Sequence, residues 1–365
     1  MATLIERVGN IHIHTEYSDG TGTHADVADA AAEAGLDFIV ITDHNVYPPE
    51  QEGWRSRVLV LVGEEIHDPE APHVNHLLVL GARADLAHLS GDTQALLDAA
   101  AARDGLAFLA HPYERAGQAV GEGAINWVAW GVHGYTGLEI WNYMSEFKGL
   151  LSSRLVALAL AYLPRLGIRG PFPETLQQWD ALLARGEVVF GIGGADAHAQ
   201  EYAMGPLRRR VFGYRHLFRA VNTHILVPEE WTGLLAHDGV LVYEALAAGR
   251  AFVAYDGLAD ARGFRFTAED DVDSRPMGST VPAWRGLALR VEAPHPAYLR
   301  IIRHGEVVAE AEGRTLVHPN PLPGAYRAEA HLRHALRPRG WIFSNPIFVR
   351  PAPEHRVDTH AEPTA

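Results

Sequence analysis

Cysteine is absent from all 365 residues of the chain. Disulfides, thiolate nucleophiles, zinc–thiolate sites and iron–sulfur clusters are therefore excluded. Any metal site in this protein must be built from histidine, aspartate, glutamate and water. Lysine is nearly absent as well, because Lys148 is the single one and arginine supplies almost all of the positive charge.

Long apolar runs and a basic charge balance are also missing. No uncharged apolar stretch reaches the length of about 18 residues that a membrane span needs, so no span is expected. Residues 1–7 lack the basic and then apolar pattern of a signal peptide, which makes the cytoplasm the expected location. With 31 basic and 45 acidic residues the formal net charge is −14, which argues against binding to nucleic acid or to an anionic membrane.

The first 200 residues alternate between short apolar runs and helical patterns. Such alternation predicts parallel βαβ units, and seven runs favour a closed or nearly closed α/β barrel over residues 1–257. The predicted strands cover residues 9–14, 38–42, 58–62, 76–80, 106–110, 137–141 and 188–192. The predicted helices cover residues 25–34, 93–103, 150–163 and 175–185.

The pattern changes after residue 257, where helical signals give way to short alternating runs with glycine, proline and asparagine between them. This predicts a small antiparallel β-sandwich domain over residues 258–350. Residues 351–365 are polar and without periodicity, and we expect them to form a flexible tail.

Histidine is abundant, with 21 residues, and several histidines fall at the ends of the predicted strands together with acidic residues. His12 and His14 are two apart on a strand and so should share a face. Reactive groups of parallel barrels collect where the strands end, and buried charges or imidazoles are costly unless they are paired or bound to metal. The sequence therefore predicts a metal cluster with nine ligands, drawn from His12, His14, Asp19, His44, either Glu64 or Glu65, His76, His111, Asp196 and His198.

Ligands that are only nitrogen and oxygen suit Zn²⁺, Mn²⁺ or Fe²⁺. Ions about 3.5–4 Å apart can bridge a water and lower its pKa toward ~7, which produces hydroxide at neutral pH. We therefore expect divalent ions and a metal-bridging hydroxide as the nucleophile.

The motifs over residues 10–200 resemble those of the PHP (polymerase and histidinol phosphatase) superfamily of metal-dependent phosphoesterases. They are HxHTxxSDG at 12–20, TDHN at 42–45, GxE at 63–65, His76, HP at His111 and DxH at 196–198. Further segments resemble the carbaryl-hydrolase-type (CehA/McbA) branch, whose members carry a β-domain after the barrel. These segments are residues 137–142, 191–198, 244–250 and 341–347.

The resemblance implies a distorted (β/α)7 barrel, phosphoesterase activity and two or three divalent ions in three metal positions. The groups then expected to act through the metal-bound hydroxide are Glu65, Asp196 and His198. The first position would take His12, His14, Glu65 and Asp196. The second would share Glu65 and add His76 and His111, and the third would take Asp19, His44 and His198. The family's glutamate stands two residues after the glycine, which selects Glu65 over Glu64, and successive strand residues face opposite ways.

A phosphate substrate should also meet a cation or another polar group near the cluster. The expected substrate contacts are Arg115, Lys148 and Asn142, with residues 208–210 and Glu139 as further candidates. Two histidines near the ligand loops, His24 and His67, are candidate general acids. Asp43 is expected to accept a hydrogen bond that orients a ligand histidine.

The leading hypothesis is hydrolysis of a small-molecule phosphate ester. Two alternatives stay open. The same cluster could act on a carboxylic or carbamate ester, or the protein could be a noncatalytic, metal-dependent binding module. The sequence does not decide whether the chain forms a homo-oligomer.

Overall fold

The computed structural model describes residues 4–163, 167–204, 207–334 and 337–352. Within these ranges the chain forms a mixed α/β fold with one large sheet and few helices. The helices are α1 (His24–Ala34), α2 (Thr93–Ala101), α3 (Tyr143–Gly149), α4 (Arg154–Tyr162), α5 (Pro173–Ala184), α6 (Tyr214–Leu217) and α7 (Leu235–Ala247).

The strands of the N-terminal part are β1 (Ile5–Ile11), β2 (Phe38–Ile41), β3 (Gly53–Arg55), β4 (Val58–Ile66), β5 (Leu77–Leu80), β6 (Leu106–Leu109), β7 (Gly137–Asn142), β8 (Phe190–Gly194), β9 (Glu201–Met204), β10 (Leu207–Arg210), β11 (Val221–Val227) and β12 (Ala251–Tyr255). Those that follow are β13 (Arg265–Glu269), β14 (Ser274–Pro276), β15 (Thr280–Pro282), β16 (Ala288–Arg303), β17 (Glu306–Pro319), β18 (Gly324–His334), β19 (Arg337–Ser344) and β20 (Ile347–Arg350).

Local sequence explains where the first helix begins and ends. The Thr23 hydroxyl accepts a hydrogen bond from the Asp26 N–H, and the Asp26 carboxylate accepts one in return from the Thr23 N–H. This capping box satisfies backbone donors that an α-helix leaves unpaired at its start. At the other end Gly35 adopts a left-handed φ of 86°, which glycine enters at no steric cost.

Seven strands form a consecutive series of pairs around the predicted ligands. The β1–β2, β2–β4, β6–β7 and β7–β8 pairs are parallel, and a parallel bridge between Ile13 and Ala197 brings the ends of the series together. The β4–β5 and β5–β6 pairs are antiparallel, so the expectation of uniformly parallel strands is wrong at β5. The reason is the connection over residues 67–76, which contains no helix to carry the chain back to a parallel start.

Several predicted elements have different bounds in the structure. The helix predicted over residues 150–163 starts later, because the Ser153 hydroxyl accepts the Val156 N–H and so begins α4 at Arg154. The first strand ends at Ile11 and not at His14, since His12 has a φ of 91° that no strand accommodates.

The C-terminal strands pair with the preceding sheet as well as with each other. Strand β16 is antiparallel to β13, β17 and β18, whereas β15 and β20 are parallel. The β12–β19 pair crosses the predicted domain boundary at residue 257, with Phe252 opposite Ser344. The sandwich and the boundary remain predictions, and residues 353–365 of the predicted tail lie outside the described residues.

The described helices include none with the length and hydropathy required to cross a bilayer.

Candidate metal centre

The nine predicted ligands lie together where several strands of the series end. His76 shows why the direction of β5 matters, because this residue precedes the start of the strand. A strand running antiparallel to β4 and β6 begins at the edge where those two strands end. The reversal therefore brings His76 to the same edge as Glu65 and His111.

The Glu65 carboxylate lies at the centre of the cluster and is 1% exposed. Its Oε2 atom is 3.0, 3.1 and 3.2 Å from His12 Nε2, His14 Nε2 and His44 Nδ1, and its Oε1 atom is 2.7 and 3.1 Å from His76 Nδ1 and His111 Nε2. The two oxygens of one carboxylate thus face two separate sets of imidazoles. This is the geometry of a carboxylate that bridges two cation positions.

Asp196 completes the first of these sets. Its Oδ1 atom is 3.4 Å from His12 Nε2 and 3.2 Å from His14 Nε2. Together with Glu65 these residues are the four donors that the resemblance implies for the first metal position. The second set, Glu65 with His76 and His111, also has its donor atoms within 4.8 Å of one another.

A third group of donors lies on the more exposed side of the cluster. Asp19 Oδ1 is 3.0 Å from His198 Nε2 and 3.8 Å from both His44 Nε2 and His14 Nδ1. The Asp19 side chain is 48% exposed, whereas His14 is fully buried. This group therefore faces solvent, and it contains all three residues implied for the third position.

The donor set fits divalent ions. Ligands held about 2.1 Å from a cation lie roughly 3.0–3.4 Å apart in octahedral or tetrahedral geometry, which matches the spacings around Glu65 and Asp196. Four buried ring nitrogens of the cluster have no hydrogen-bond partner among the described residues: Nδ1 and Nε2 of His14, Nδ1 of His44 and Nδ1 of His111. Unpaired buried polar atoms are costly, and for the nitrogens that face the cluster a cation would remove that cost.

Backbone carbonyls fix the tautomers of two ligand histidines. The His76 Nε2 atom donates to the Pro72 carbonyl at 3.0 Å, and the His198 Nδ1 atom donates to the Asp196 carbonyl at 2.9 Å. A carbonyl can only accept, so the proton lies on that nitrogen. In the neutral ring the other nitrogen, which faces the cluster, has the lone pair that a cation would need.

Glu139 plays the same part for His12. Its Oε1 atom is 3.0 Å from His12 Nδ1, while Oε2 accepts hydrogen bonds from the His111 N–H at 2.9 Å and the Asn142 amide at 3.0 Å. A carboxylate behind a ligand histidine orients the ring and makes it more basic. Glu139 was a candidate substrate contact in the sequence, but its oxygens face two ligand residues and an amide.

Asn142 is buried beside the ligands. Its amide also lies 3.2 Å from Asp196 Oδ2, and its carbonyl accepts the Ser145 N–H at the start of α3. These bonds hold the carboxylate of Asp196 in place. The substrate contact expected of Asn142 stays a prediction.

The carboxylates of the centre are held ionised by their surroundings. Burial alone would raise the pKa of the Glu65 carboxyl, but the imidazoles, His12 first, hold it well below its usual range. Asp196 is lowered well below its usual pKa in the same way. Burial opposes protonation of His14, yet Asp196 and Glu65 raise its pKa to about 9, whereas burial lowers the pKa of His44 to about 4. Cations would compete with protons for His12 and His14.

Three ligand residues have backbone angles that non-glycine residues rarely adopt. The φ values are 91° at His12, 26° at His111 and 53° at Asp196. Such conformations cost of order 1–3 kcal/mol each and persist where the surrounding structure imposes them, commonly at functional sites. Each of these strained residues stands one or two positions after the end of a strand, β1, β6 or β8.

Asp43 has a different role from the one expected. Its oxygens accept hydrogen bonds from the Thr15 N–H at 2.7 Å, the Thr15 hydroxyl at 2.6 Å and the Ser18 hydroxyl at 2.6 Å. No hydrogen bond joins it to a histidine among the described residues, so the expectation that it orients a ligand ring is wrong. Instead it fixes the turn that carries Asp19.

A cavity of about 960 Å³ opens on the cluster, and side chains of the helices α3 and α4 line part of it. Lys148 lines this cavity and pairs with Glu114. Arg115 is absent from the described lining, where its guanidinium instead lies 3.0 Å from Glu174 and is 56% exposed. Arg154 was missed by sequence reasoning. It lies in the lining as the first residue of α4.

The two candidate general acids are buried to different degrees beside the ligands. His67 stacks on His76 with ring centroids 4.4 Å apart, and its Nδ1 atom is buried without a hydrogen-bond partner among the described residues. Its nitrogens come within 4.8 Å of those of His44 and His76, so His67 is an additional candidate ligand. His24 packs against Tyr17 at the start of α1 and is 3% exposed.

Of the arginines at 208–210, the first two have side chains outside the described set, and Arg210 is exposed.

Comparison with known proteins agrees with the motif assignment. Residues 10–84 match the family model described as the PHP domain, a segment that contains six of the nine predicted ligands. No curated protein matches the chain. The CehA/McbA branch remains a prediction.

Two solved structures are similar to the chain. One is a two-domain protein from Bacteroides vulgatus containing a predicted PHP-like metal-dependent phosphoesterase, with 15% identity, a TM-score of 0.43, and coverage of 94% of this chain and 95% of that chain. The other, from Bifidobacterium adolescentis, is a candidate metal-dependent phosphoesterase with 15% identity, a TM-score of 0.35, and coverage of 54% of this chain and 90% of that chain.

Proposed function

We propose that this protein is a metal-dependent hydrolase of phosphate esters. The observation that carries the proposal is the Glu65 carboxylate, whose two oxygens face separate sets of imidazole nitrogens at 2.7–3.2 Å. The PHP domain match over residues 10–84 supports the same class of reaction. We propose two or three divalent ions, of zinc, manganese or iron, held by the nine predicted ligands.

Divalent ions in these positions would lower the pKa of a water and polarise a phosphoryl oxygen. Hydrolysis then adds water across the P–O ester bond and releases orthophosphate and an alcohol. The ligands proposed to support this step most directly are Glu65, Asp196 and His198. Glu139 holds the His12 ring, and the buried position of Glu65 excludes bulk water from one side of the reaction.

The substrate proposed is a small-molecule ester that enters through the cavity. Lys148 and Arg154 line it, so they are better placed than Arg115 to meet an anionic group. Lys148 is paired with Glu114, which lowers its net contribution to anion binding.

The test is turnover of phosphomonoesters by protein loaded with zinc, manganese or iron. The expected result is hydrolysis by the loaded wild-type protein and none by the His12→Ala/Asp196→Ala double variant, which loses two donors of the first position. A panel of aryl phosphates, carboxylic esters and aryl carbamates distinguishes phosphoesterase from carboxylic or carbamate ester hydrolase. Turnover retained by the double variant, or metal-loaded protein inert on every ester, would contradict the proposal.

A further inference from the structure

We propose that the substrate's leaving group is a bulky apolar alcohol, held in the cavity against α3 and α4. This inference rests on the proposed function, because it places the phosphate at the metal cluster. The apolar side chains that line the cavity indicate that the rest of the substrate is apolar.

The cavity is far larger than a phosphate group requires. Its volume of about 960 Å³ lies at the upper end of the range of about 300–1,000 Å³ that accommodates drug-sized molecules. Cluster ligands such as Asp19, His44 and Asp196 line one side of it. A phosphate at the cluster would thus leave most of the space to the rest of the ester.

Outside the cluster ligands, the described lining of the cavity is mainly apolar. It includes Ile125, Met144, Phe147, Leu151, Leu158 and Leu217. Phe147 and Leu151 are buried beneath the cavity surface, with 3% and 6% of their area exposed. Burial of an apolar group against such a surface is favourable in proportion to the area removed from water.

Three polar side chains of the lining, Glu114, Ser145 and Lys148, already bind one another. The Glu114 carboxylate accepts hydrogen bonds from the Ser145 hydroxyl at 2.8 Å, from the Ile125 N–H at 2.7 Å and from Lys148. Glu122 and Arg154 are the remaining charged residues of the described lining outside the cluster. A sugar or nucleoside needs several free donors and acceptors around it, and the paired groups do not offer them.

Helix α4 adds an independent observation. Leu158 and Tyr162 line the cavity and are nevertheless 39% and 60% exposed. Leu155, on the same helix, is 80% exposed and is not part of the described lining. An apolar group in the cavity would cover the first two side chains and so remove apolar surface from water.

The direct test is binding of alkylphosphonates, which are not hydrolysed, to the metal-loaded protein by calorimetry. Each buried methylene should raise the affinity by up to about fourfold, equivalent to ~0.8 kcal/mol. We expect hexylphosphonate to bind at least about 30-fold more tightly than methylphosphonate, which allows for partial burial of the chain. Propylphosphonate should bind more tightly than 2-aminoethylphosphonate, which has the same number of heavy atoms and a charged end.

Two matched substitutions in α4 locate the alkyl chain. Leu158→Gln should weaken hexylphosphonate several-fold and leave methylphosphonate unchanged. Leu155→Gln makes the same chemical change on the same helix away from the cavity, and should alter neither. Equal effects of the two substitutions would overturn the placement of the chain against α4.

The outcomes separate this inference from the proposed function. Affinity that does not rise with chain length, in a protein that hydrolyses phosphate esters, overturns the inference and leaves the function standing. Affinity that rises with chain length, in a protein that hydrolyses none, supports the apolar site and overturns the function.

Discussion

Glu64 and Glu65 are neighbours on β4 with opposite surroundings. Glu65 faces five imidazoles, while the Oε2 atom of Glu64 accepts the Leu86 N–H at 3.1 Å on the other side of the strand. Burial raises the pKa of the Glu64 carboxyl to about 7. Two adjacent residues of one strand thus differ in role: Glu65 is a candidate metal bridge, whereas Glu64 is a buried carboxyl on the opposite side of the strand.

Glu139→Gln tests the group that orients His12. An amide holds the ring less strongly than a carboxylate does, so we expect metal affinity to fall about 10–100-fold. Competition with a chelator of known affinity measures the change. Glu187→Gln, which alters an exposed ion pair with Arg185, is the control and should leave the affinity unchanged. An affinity equal to that of the wild type would show that Glu139 does not position the ligand.

The clustering of the nine candidate ligands could be predicted because they belong to short motifs at the ends of apolar runs. The contacts of the residues around them could not be predicted. Asp43 was expected to hold a histidine, but the turn after β1 brings Thr15 and Ser18 to its oxygens. Arg154 belongs to a helix whose start depends on Ser153, a capping residue inside an otherwise continuous helical pattern.

Strands β1 and β8 approach each other closely at the cluster. A Cβ atom at Gly194 would lie 1.7 Å from the Ile11 carbonyl oxygen, a distance that real atoms cannot adopt. The absence of a side chain at Gly194 thus lets β8 deliver Asp196 to the histidines that follow β1.

Gly194→Ala should separate these two strands. Overpacking of this kind costs about 1–3 kcal/mol, and more where backbone must move, so we expect a lower Tm together with weaker metal binding. Gly91→Ala is the control, since nothing lies within 4 Å of a Cβ atom at that position. Thermal unfolding and metal titration of both variants check this prediction. A Gly194→Ala protein with the stability and metal affinity of the wild type would contradict it.

The reversal of β5 shows the limit of sequence patterns for whole elements. The apolar run at residues 76–80 predicted a strand, and the parallel orientation expected for it from strand–helix alternation was wrong, because an apolar run has the same pattern in either direction. The orientation follows from the short connection after β4, which permits only an antiparallel return.

A buried group of charges ties β1, β11, β12 and β13 together, away from the metal centre. His224 is fully buried, 2.8 Å from Glu6 Oε1 and 3.1 Å from Asp256 Oδ2, and Arg265 lies 2.6 Å from Glu6 Oε2. Two carboxylates thus pair with one imidazole and one guanidinium. Burial opposes protonation of His224, but Asp256 and Glu6 raise its pKa from 6.5 to about 9.

This group makes the stability of the whole molecule depend on pH. The folded protein holds the proton of His224 more tightly than the unfolded chain does, so the contribution is complete below pH 6.5 and is lost as pH rises to about 9. The loss should be about 3 kcal/mol. Unfolding of the metal-free protein measured from pH 6 to pH 10 should show a decline that is about 3 kcal/mol smaller in His224→Gln than in wild type. Part of the decline remains in the variant, because the pKa of His14 is also raised to about 9. The exposed His88→Gln should keep the full decline. A decline of the same size in His224→Gln would assign the effect to other groups.

The number of divalent ions bound per chain, measured by elemental analysis and located by anomalous scattering, tests the proposed metal cluster most directly. We predict two or three ions in the wild-type protein and in Glu64→Gln, and at most one in Glu65→Gln, because only Glu65 faces two sets of imidazoles. Equal metal content in Glu65→Gln and wild type, or a wild-type protein that binds no ion at the cluster, would contradict it.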